Sequence, residues 1–299
     1  MLVLLVVRES PLRSGGRFDV LGAVGLSGAL ICLLLAISKG NEWGWGSTTV
    51  VGLLVAAAVF FALWTTWELR VRSPLVDLRV SARPTVLWTN VASIMIGFGM
   101  FAGFLVTTQI LQAPRETGYG FGMSLVAAGV ALLPIGAAMT IFSPVSARVS
   151  KRRGARTSLV LGGVVLALGN VLMAMLPASV PLVVAASTTT AIGAALAYSA
   201  IPLLIMDGVP EGETAAANSL NTLMRMLGTS SCSSFVAAIT TGLTTTVAGS
   251  LLPAGAAYTV IYLAAATAAV LGATIAALTP RPAADAIPLS TRPSTARAA

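Results

Sequence analysis

The chain has 299 residues, of which 56% are hydrophobic and only 9% charged. An average soluble domain is about 25% charged. The 18 Lys and Arg and 10 Asp and Glu present here could not clothe a soluble surface of this size, and a mean hydropathy of +0.90 excludes a disordered chain. A multi-span membrane protein remains. With no His and two isolated Cys, no metal site, cofactor, His-based triad or disulfide framework is expected.

In chain order, Met1 to Val7 is apolar and is stopped by Arg8-Glu9-Ser10-Pro11. Seven residues cannot span a bilayer, and the segment lacks the basic leader and small-residue cleavage site of a signal peptide. It reads as the tail of a helix whose beginning is absent, and the chain as the carboxy-terminal part of a longer protein. A spanning helix needs roughly 20 mostly apolar residues. Uncharged runs lie at 20–38, 43–67, 84–114, 117–147, 157–206 and 226–280. Leu176 to Pro181 divides the fifth run, and the segment from Gly249 to Gly255 with Pro253 divides the sixth. Eight spans are predicted, near 20–38, 48–67, 86–112, 124–147, 157–176, 181–206, 214–242 and 256–279. All are expected to be helices, giving an all-α integral membrane protein, because a barrel would show ~10-residue alternating segments. Residues 281–299, rich in Pro, Ala, Ser and Thr, read as a disordered cytoplasmic tail.

The cations set an orientation. Both ends and the even-numbered gaps hold fifteen of the eighteen, and the opposite gaps hold only Lys39 and Arg115. The positive-inside rule then puts both termini in the cytoplasm. Trp43 and Trp45 mark the outer interface, and Trp64, Trp67 and Trp88 the inner one. The +8 charge is thereby explained by loops facing anionic lipid, with no nucleic-acid partner.

The eighteenth cation, Arg225, falls inside a span. It shares one helical face with Asn218, Asn221, Thr229 and Cys232. A charge at mid-bilayer costs about 2.5–3.5 kcal/mol on insertion scales, so this face should look into a bundle or a watery cavity. Two readings stand: a gate or anion-facing wall, or a structural tie to Asp207 with the side chain reaching inward. Further polar residues lie on the third span (Asn90, Ser93, Thr107, Thr108, Gln109, Gln112) and the sixth (Ser187, Thr188, Thr189, Thr190, Tyr198, Ser199). These either line a cavity or bond between helices. The fifth and eighth spans are nearly all Ala, Val, Leu and Gly, Asn170 being the main exception, and look lipid-facing. Pro134, Pro144 and Pro202 are placed to kink spans. Asp207, Glu211 and Glu213 cluster before a helix that Thr214 can cap. No acid–base pair or phosphate loop suggests an enzyme.

Several passages resemble the Major Facilitator Superfamily, and more narrowly its fourteen-span drug–proton antiporter branch. RESPLRSGGRFDVLGA followed by LLLAISKGNEWGWGS resembles the branch's inner loop, first linker helix and aromatic outer loop. ELRVRSPLVDLRV resembles the loop leading into the second six-helix bundle, and Gln112-Ala113-Pro114 with TGYGFGMSLVAAGVALLP the junction between spans nine and ten. PEGETAAANSLNTLMRMLG resembles the entry to span thirteen, Arg225 included.

The resemblance implies four parts. Residues 1–7 end span six, 8–83 hold two linker helices, 84–280 form the second bundle as a 3+3 inverted repeat, and 281–299 are the tail. It makes the spans at 86–112 and 181–206 cavity-lining and those at 157–176 and 256–279 peripheral. Asn90, Thr108, Gln109, Gln112, Tyr198, Asn218, Asn221 and Arg225 become the candidate substrate pathway or gate. Arg148, Arg152, Arg153, Gly154 and Arg156 carry the second bundle's inner-loop signature. Two positions depart from it: Ala147 stands where Gly is usual and Lys151 where Asp is common. The expected activity is proton-coupled efflux of small organic compounds by alternating access, in the plasma membrane, with the substrate, protons, lipid and a missing amino-terminal bundle as partners. The alternative is a standalone eight-span binding or scaffold protein that pairs with a separate first-half polypeptide.

Overall fold

The computed structural model describes residues 19–71, 78–247 and 249–279, the side chains of Arg79, Val80 and Glu211 excepted. The expected helix tail at 1–7 and the tail at 281–299 lie outside the described residues.

The long helices lie close to the expected spans. They are α1 (Val20–Trp43), α2 (Thr48–Glu68), α3 (Pro84–Gln112), α4 (Leu125–Ala131), α5 (Leu133–Arg153), α6 (Ala155–Ala174), α7 (Val180–Gly208), α8 (Thr214–Gly242) and α9 (Gly255–Leu278). Their ends carry local stop signals. Asp19 accepts from the Gly22 amide at 2.9 Å and Ser47 from the Val50 amide at 3.3 Å, each capping a helix start. Gly154, at φ 88°, turns α5 into α6. The fourth span is interrupted at Leu132, two residues before Pro134, a residue expected to kink it, which has no amide hydrogen to continue the ladder. Two expectations need correction. Thr214 is the first helical residue of α8 rather than its cap, which is Glu213. The chain is also not wholly helical. Thr244–Val247 (β1) and Ser250–Pro253 (β2) pair antiparallel between α8 and α9. Consecutive β-branched residues favour the extended strand, and Gly249 supplies the left-handed turn residue at φ 82°.

Among the described residues, seven helical stretches are long and apolar enough to cross a membrane, α4 and α5 counting as one. The eighth long helix, α8, has 29 residues. Its five Ser, five Thr, two Asn and Arg225 lower its apolarity.

α3 is central and packs against α7, α8 and α9. α6 lies between α7 and α9, and α5 covers α7. α1 pairs with α2 and leans on α8, where Asn41 Nδ2 donates to the Ser234 carbonyl at 2.5 Å and Ser234 Oγ donates to the Ile37 carbonyl. At the opposite end of that pair, Trp67 Nε1 donates to Asp19 at 3.1 Å. Val86, Ile96, Leu159, Leu166, Ile201 and Ile205 belong to one buried cluster. Val106, Ile110, Met173, Ile261 and Tyr262 belong to a second, further along the bundle. Glycine permits the closest crossing: a Cβ on Gly193 of α7 would come within 2.2 Å of the Leu166 amide of α6.

The fifth and eighth spans, α6 and α9, are not simply lipid-facing. Each exposes one row of large side chains, including Leu161, Val164 and Leu168 on α6 and Leu263, Val270 and Leu271 on α9. Each turns another face inward, with Asn170 on α6 and Tyr258 and Tyr262 on α9 buried. The helices least covered by protein are α2 and the α4–α5 pair.

Candidate functional site

The polar residues of α3 and α8 meet because two glycines remove the side chains that would hold the helices apart. A Cβ on Gly228 would lie 2.2 Å from the Ile94 carbonyl oxygen, and one on Gly97 would lie 2.9 Å from that of Arg225. Beside this crossing Asn221 Nδ2 donates to Asn90 Oδ1 and to Ser93 Oγ, both at 2.8 Å. Asn90, Ser93 and Asn221 are all buried, so the bonds form away from solvent, where an unmade one costs about 1–3 kcal/mol.

One turn further along α8, Arg225 is half-buried. Its guanidinium carbon sits 4.8 Å from the centre of the Tyr198 ring of α7, a cation–π arrangement. Its Nη2 also reaches Thr222 Oγ1, at 3.5 Å. Arg225 forms no ion pair with Asp207, and among the described residues the ion pair present is Lys39–Glu42 at the end of α1. Tyr198 also lines a cavity of about 320 Å³ with Met139, Thr140, Ser143, Ala195 and Ser199. There the Ser143 and Ser199 hydroxyls bond at 3.0 Å. α5, α7 and α8 thus bring a cation, an aromatic face and several hydroxyls to one region, which can hold polar and aromatic groups.

The remaining sequence-predicted residues separate into other places. Asn218 is half-buried and donates to the Thr214 carbonyl of its own helix at 2.9 Å. Thr108 is half-buried and bonds its own helix at Phe104. Gln109 and Gln112 line a second cavity of about 320 Å³ with Pro114, Tyr119, Pro253 and Tyr258. Nineteen residues separate Asn90 from Gln109, so the second cavity lies about 28 Å along α3 from the Asn cluster. Arg148, Arg152 and Arg153 line a groove with Val145, Val149 and Leu161. Gly154 makes the turn beside it and Arg156 is half-buried on α6. A groove of about 680 Å³ runs between α1 and α2 and includes Leu21, Val24, Phe60 and Trp67. It shares no residue with the polar region.

One member of a buried polar cluster, Tyr262, has no place among the residues singled out from the sequence, whereas Thr107 and Ser187 are among those expected to line a cavity or bond between helices. Thr107 Oγ1 of α3 lies 3.0 Å from the Tyr262 hydroxyl of α9 and 3.3 Å from Ser187 Oγ of α7. Tyr258 and Tyr262 stand four apart, the one available signal that α9 has an inward face.

A bundle of long apolar helices that buries amide and hydroxyl groups between its members, with a guanidinium held against an aromatic ring, is that of an integral membrane protein with a polar interior. Residues 10–233 match the Major Facilitator Superfamily, and the chain belongs to that family, which comprises membrane transporters rather than enzymes. It is 36% identical over 150 residues to the tetracenomycin C resistance and export protein of Streptomyces glaucescens, covering 50% of this chain and 27% of that protein. It is 31% identical over 229 residues to the multidrug resistance protein Stp of Mycobacterium tuberculosis, covering 76% of this chain and 41% of that protein. Against the lincomycin resistance protein of Streptomyces lincolnensis it is 27% identical over 175 residues, covering 58% and 35%. The matched part spans less than half the length of each of these relatives.

Proposed function

We propose that the chain supplies the linker helices (8–83) and second six-helix bundle (84–280) of a proton-coupled exporter of small organic compounds. In this reading α8 is an eighth span, because its polar face is taken up by α3 and α7 rather than by lipid. The protein lies in the plasma membrane with both termini cytoplasmic. Transport proceeds by alternating access, the two bundles rocking about a midplane site. Asn90, Tyr198, Asn218, Asn221 and Arg225 form this bundle's wall or gate at one level, and Thr108, Gln109 and Gln112 line it at another.

The observation that carries the reading is Arg225 stacked on Tyr198 beside a hydroxyl-lined cavity; with α8 read as a span, both lie at membrane depth. An ionisable group kept there despite its insertion cost marks a working site by default. The relatives named for resistance and export support the substrate class.

An exporter of this architecture needs both bundles to enclose its site. Cells expressing this chain alone should retain a fluorescent drug as empty-vector cells do. Cells that also express an amino-terminal bundle from a matching relative should extrude it, and the extrusion should collapse when the proton gradient is dissipated. Efflux by the chain alone, or efflux indifferent to the gradient, refutes the reading.

A further inference from the structure

We propose that the groove at the carboxyl end of α5 binds one anionic phospholipid, with its phosphate among Arg148, Arg152 and Arg153 and an acyl chain along Val145, Val149 and Leu161. The site is a property of this chain's own surface and is independent of transport; it needs only that α5 crosses a bilayer.

Val145, Arg148, Val149 and Arg152 follow the i, i+3, i+4, i+7 spacing that puts residues on one helical face. That face alternates an aliphatic and a cationic residue, twice. Leu161, on the first turns of α6, closes the other side and is exposed. The groove holds about 300 Å³, room for a headgroup and the start of a chain. Arg148, Arg152 and Arg153 are all exposed, and none forms an ion pair among the described residues.

Charge complementarity selects the occupant. Three exposed guanidinium groups around one groove attract an anion, and guanidinium binds phosphate oxygens through paired, charge-assisted hydrogen bonds. The aliphatic floor excludes a freely soluble anion as the best fit, because Val145, Val149 and Leu161 would then stay uncovered. A zwitterionic lipid brings its own cation to the same place and loses the attraction. An anionic glycerophospholipid satisfies both halves of the groove at once.

The test is native mass spectrometry of the purified full chain with bound lipid counted, after reconstitution with equal phosphatidylglycerol and phosphatidylcholine. The wild type should retain one phosphatidylglycerol in preference to phosphatidylcholine. Arg148→Gln with Arg152→Gln should lower that retention about tenfold more than Lys151→Gln with Arg156→Gln, which removes the same charge outside the groove. Leu161→Ser should weaken retention of a long-chain phosphatidylglycerol and leave that of a short-chain one nearly unchanged. Equal losses in the two double variants would reduce the effect to bulk charge and overturn the site. So would displacement of the lipid by inorganic phosphate at low millimolar concentration, or equal retention of phosphatidylcholine. Circular dichroism of each variant separates lost lipid from lost fold.

Discussion

The guanidinium carbon of Arg225 lies 4.8 Å from the centre of the Tyr198 ring, across the interface of α8 and α7. The contact answers a specific problem. A half-buried guanidinium needs a partner, and no carboxylate reaches it among the described residues. An aromatic face supplies about 0.5–2 kcal/mol of attraction to a cation, the larger figure where water is excluded. The ring leaves the guanidinium its charge and most of its N–H donors, which under the proposed function would answer an anionic group that enters.

This arrangement predicts how the two residues behave in an intact transporter. Arg225→Ala should reduce efflux about tenfold, the equivalent of roughly 1.4 kcal/mol, with little change in the amount of protein in the membrane. Tyr198→Phe keeps the ring face and should retain most activity, whereas Tyr198→Leu should resemble Arg225→Ala. Drug-efflux rate normalised to surface abundance is the measurement. If abundance falls in proportion to efflux for every variant, Arg225 is a structural tie and the working role is lost.

The α3–α8 crossing should tolerate little added bulk. Gly228 faces the Ile94 carbonyl with space for a hydrogen alone. A methyl group there must push two helices apart, and overpacking of this kind costs about 1–3 kcal/mol. Gly97 is one step easier, since part of what a Cβ meets is the Arg225 side chain. Gly129, on α4, has nothing within 4 Å of where its Cβ would stand. Thermal melting of the purified chain should therefore rank Gly228→Ala lowest, Gly97→Ala next, and Gly129→Ala equal to or above the wild type, Ala being the better helix former. A Gly228→Ala protein that melts with the wild type would show that the helices do not approach as closely as described.

Along the chain, much of this was legible. The run expected at 214–242 is the helix Thr214–Gly242, and that at 48–67 is Thr48–Glu68. Charges are so scarce that their positions, with the Pro and Gly clusters at 176–181 and 249–255, bound most of the helices. Lateral neighbours were not legible. The span at 256–279 is apolar on every side, so periodicity carries no contrast between the face toward lipid and the face toward protein. Tyr262 was missed for that reason, though its hydroxyl is bonded in the interior. Arg225 stood out because its charge did, but its partner Tyr198 is 27 positions away and only the packing of α7 on α8 brings the two together. The break at Leu132 and the hairpin at Thr244–Pro253 are local features, and both had local signals in Pro134 and Gly249 that fixed a position without fixing a conformation.

The amides of Asn221 and Asn90 offer the cleanest measure of what the polar interior contributes. Interhelical hydrogen bonds in membranes average about 0.6 kcal/mol, with about 1.7 as the highest measured value in one well-studied bundle. Asn221 makes two such bonds, to Asn90 and to Ser93, so its coupling to α3 should sit in the upper part of that range. Asn221→Ala leaves the Asn90 carbonyl oxygen buried without this donor, whereas the double variant removes both ends. Unfolding free energies of the wild type, Asn221→Ala, Asn90→Ala and the double variant should thus be non-additive, the pair losing about 0.6–1.7 kcal/mol less than the sum of the single losses. Additive losses would mean that the two amides do not sense each other, and that Gly97 and Gly228 alone hold α3 against α8.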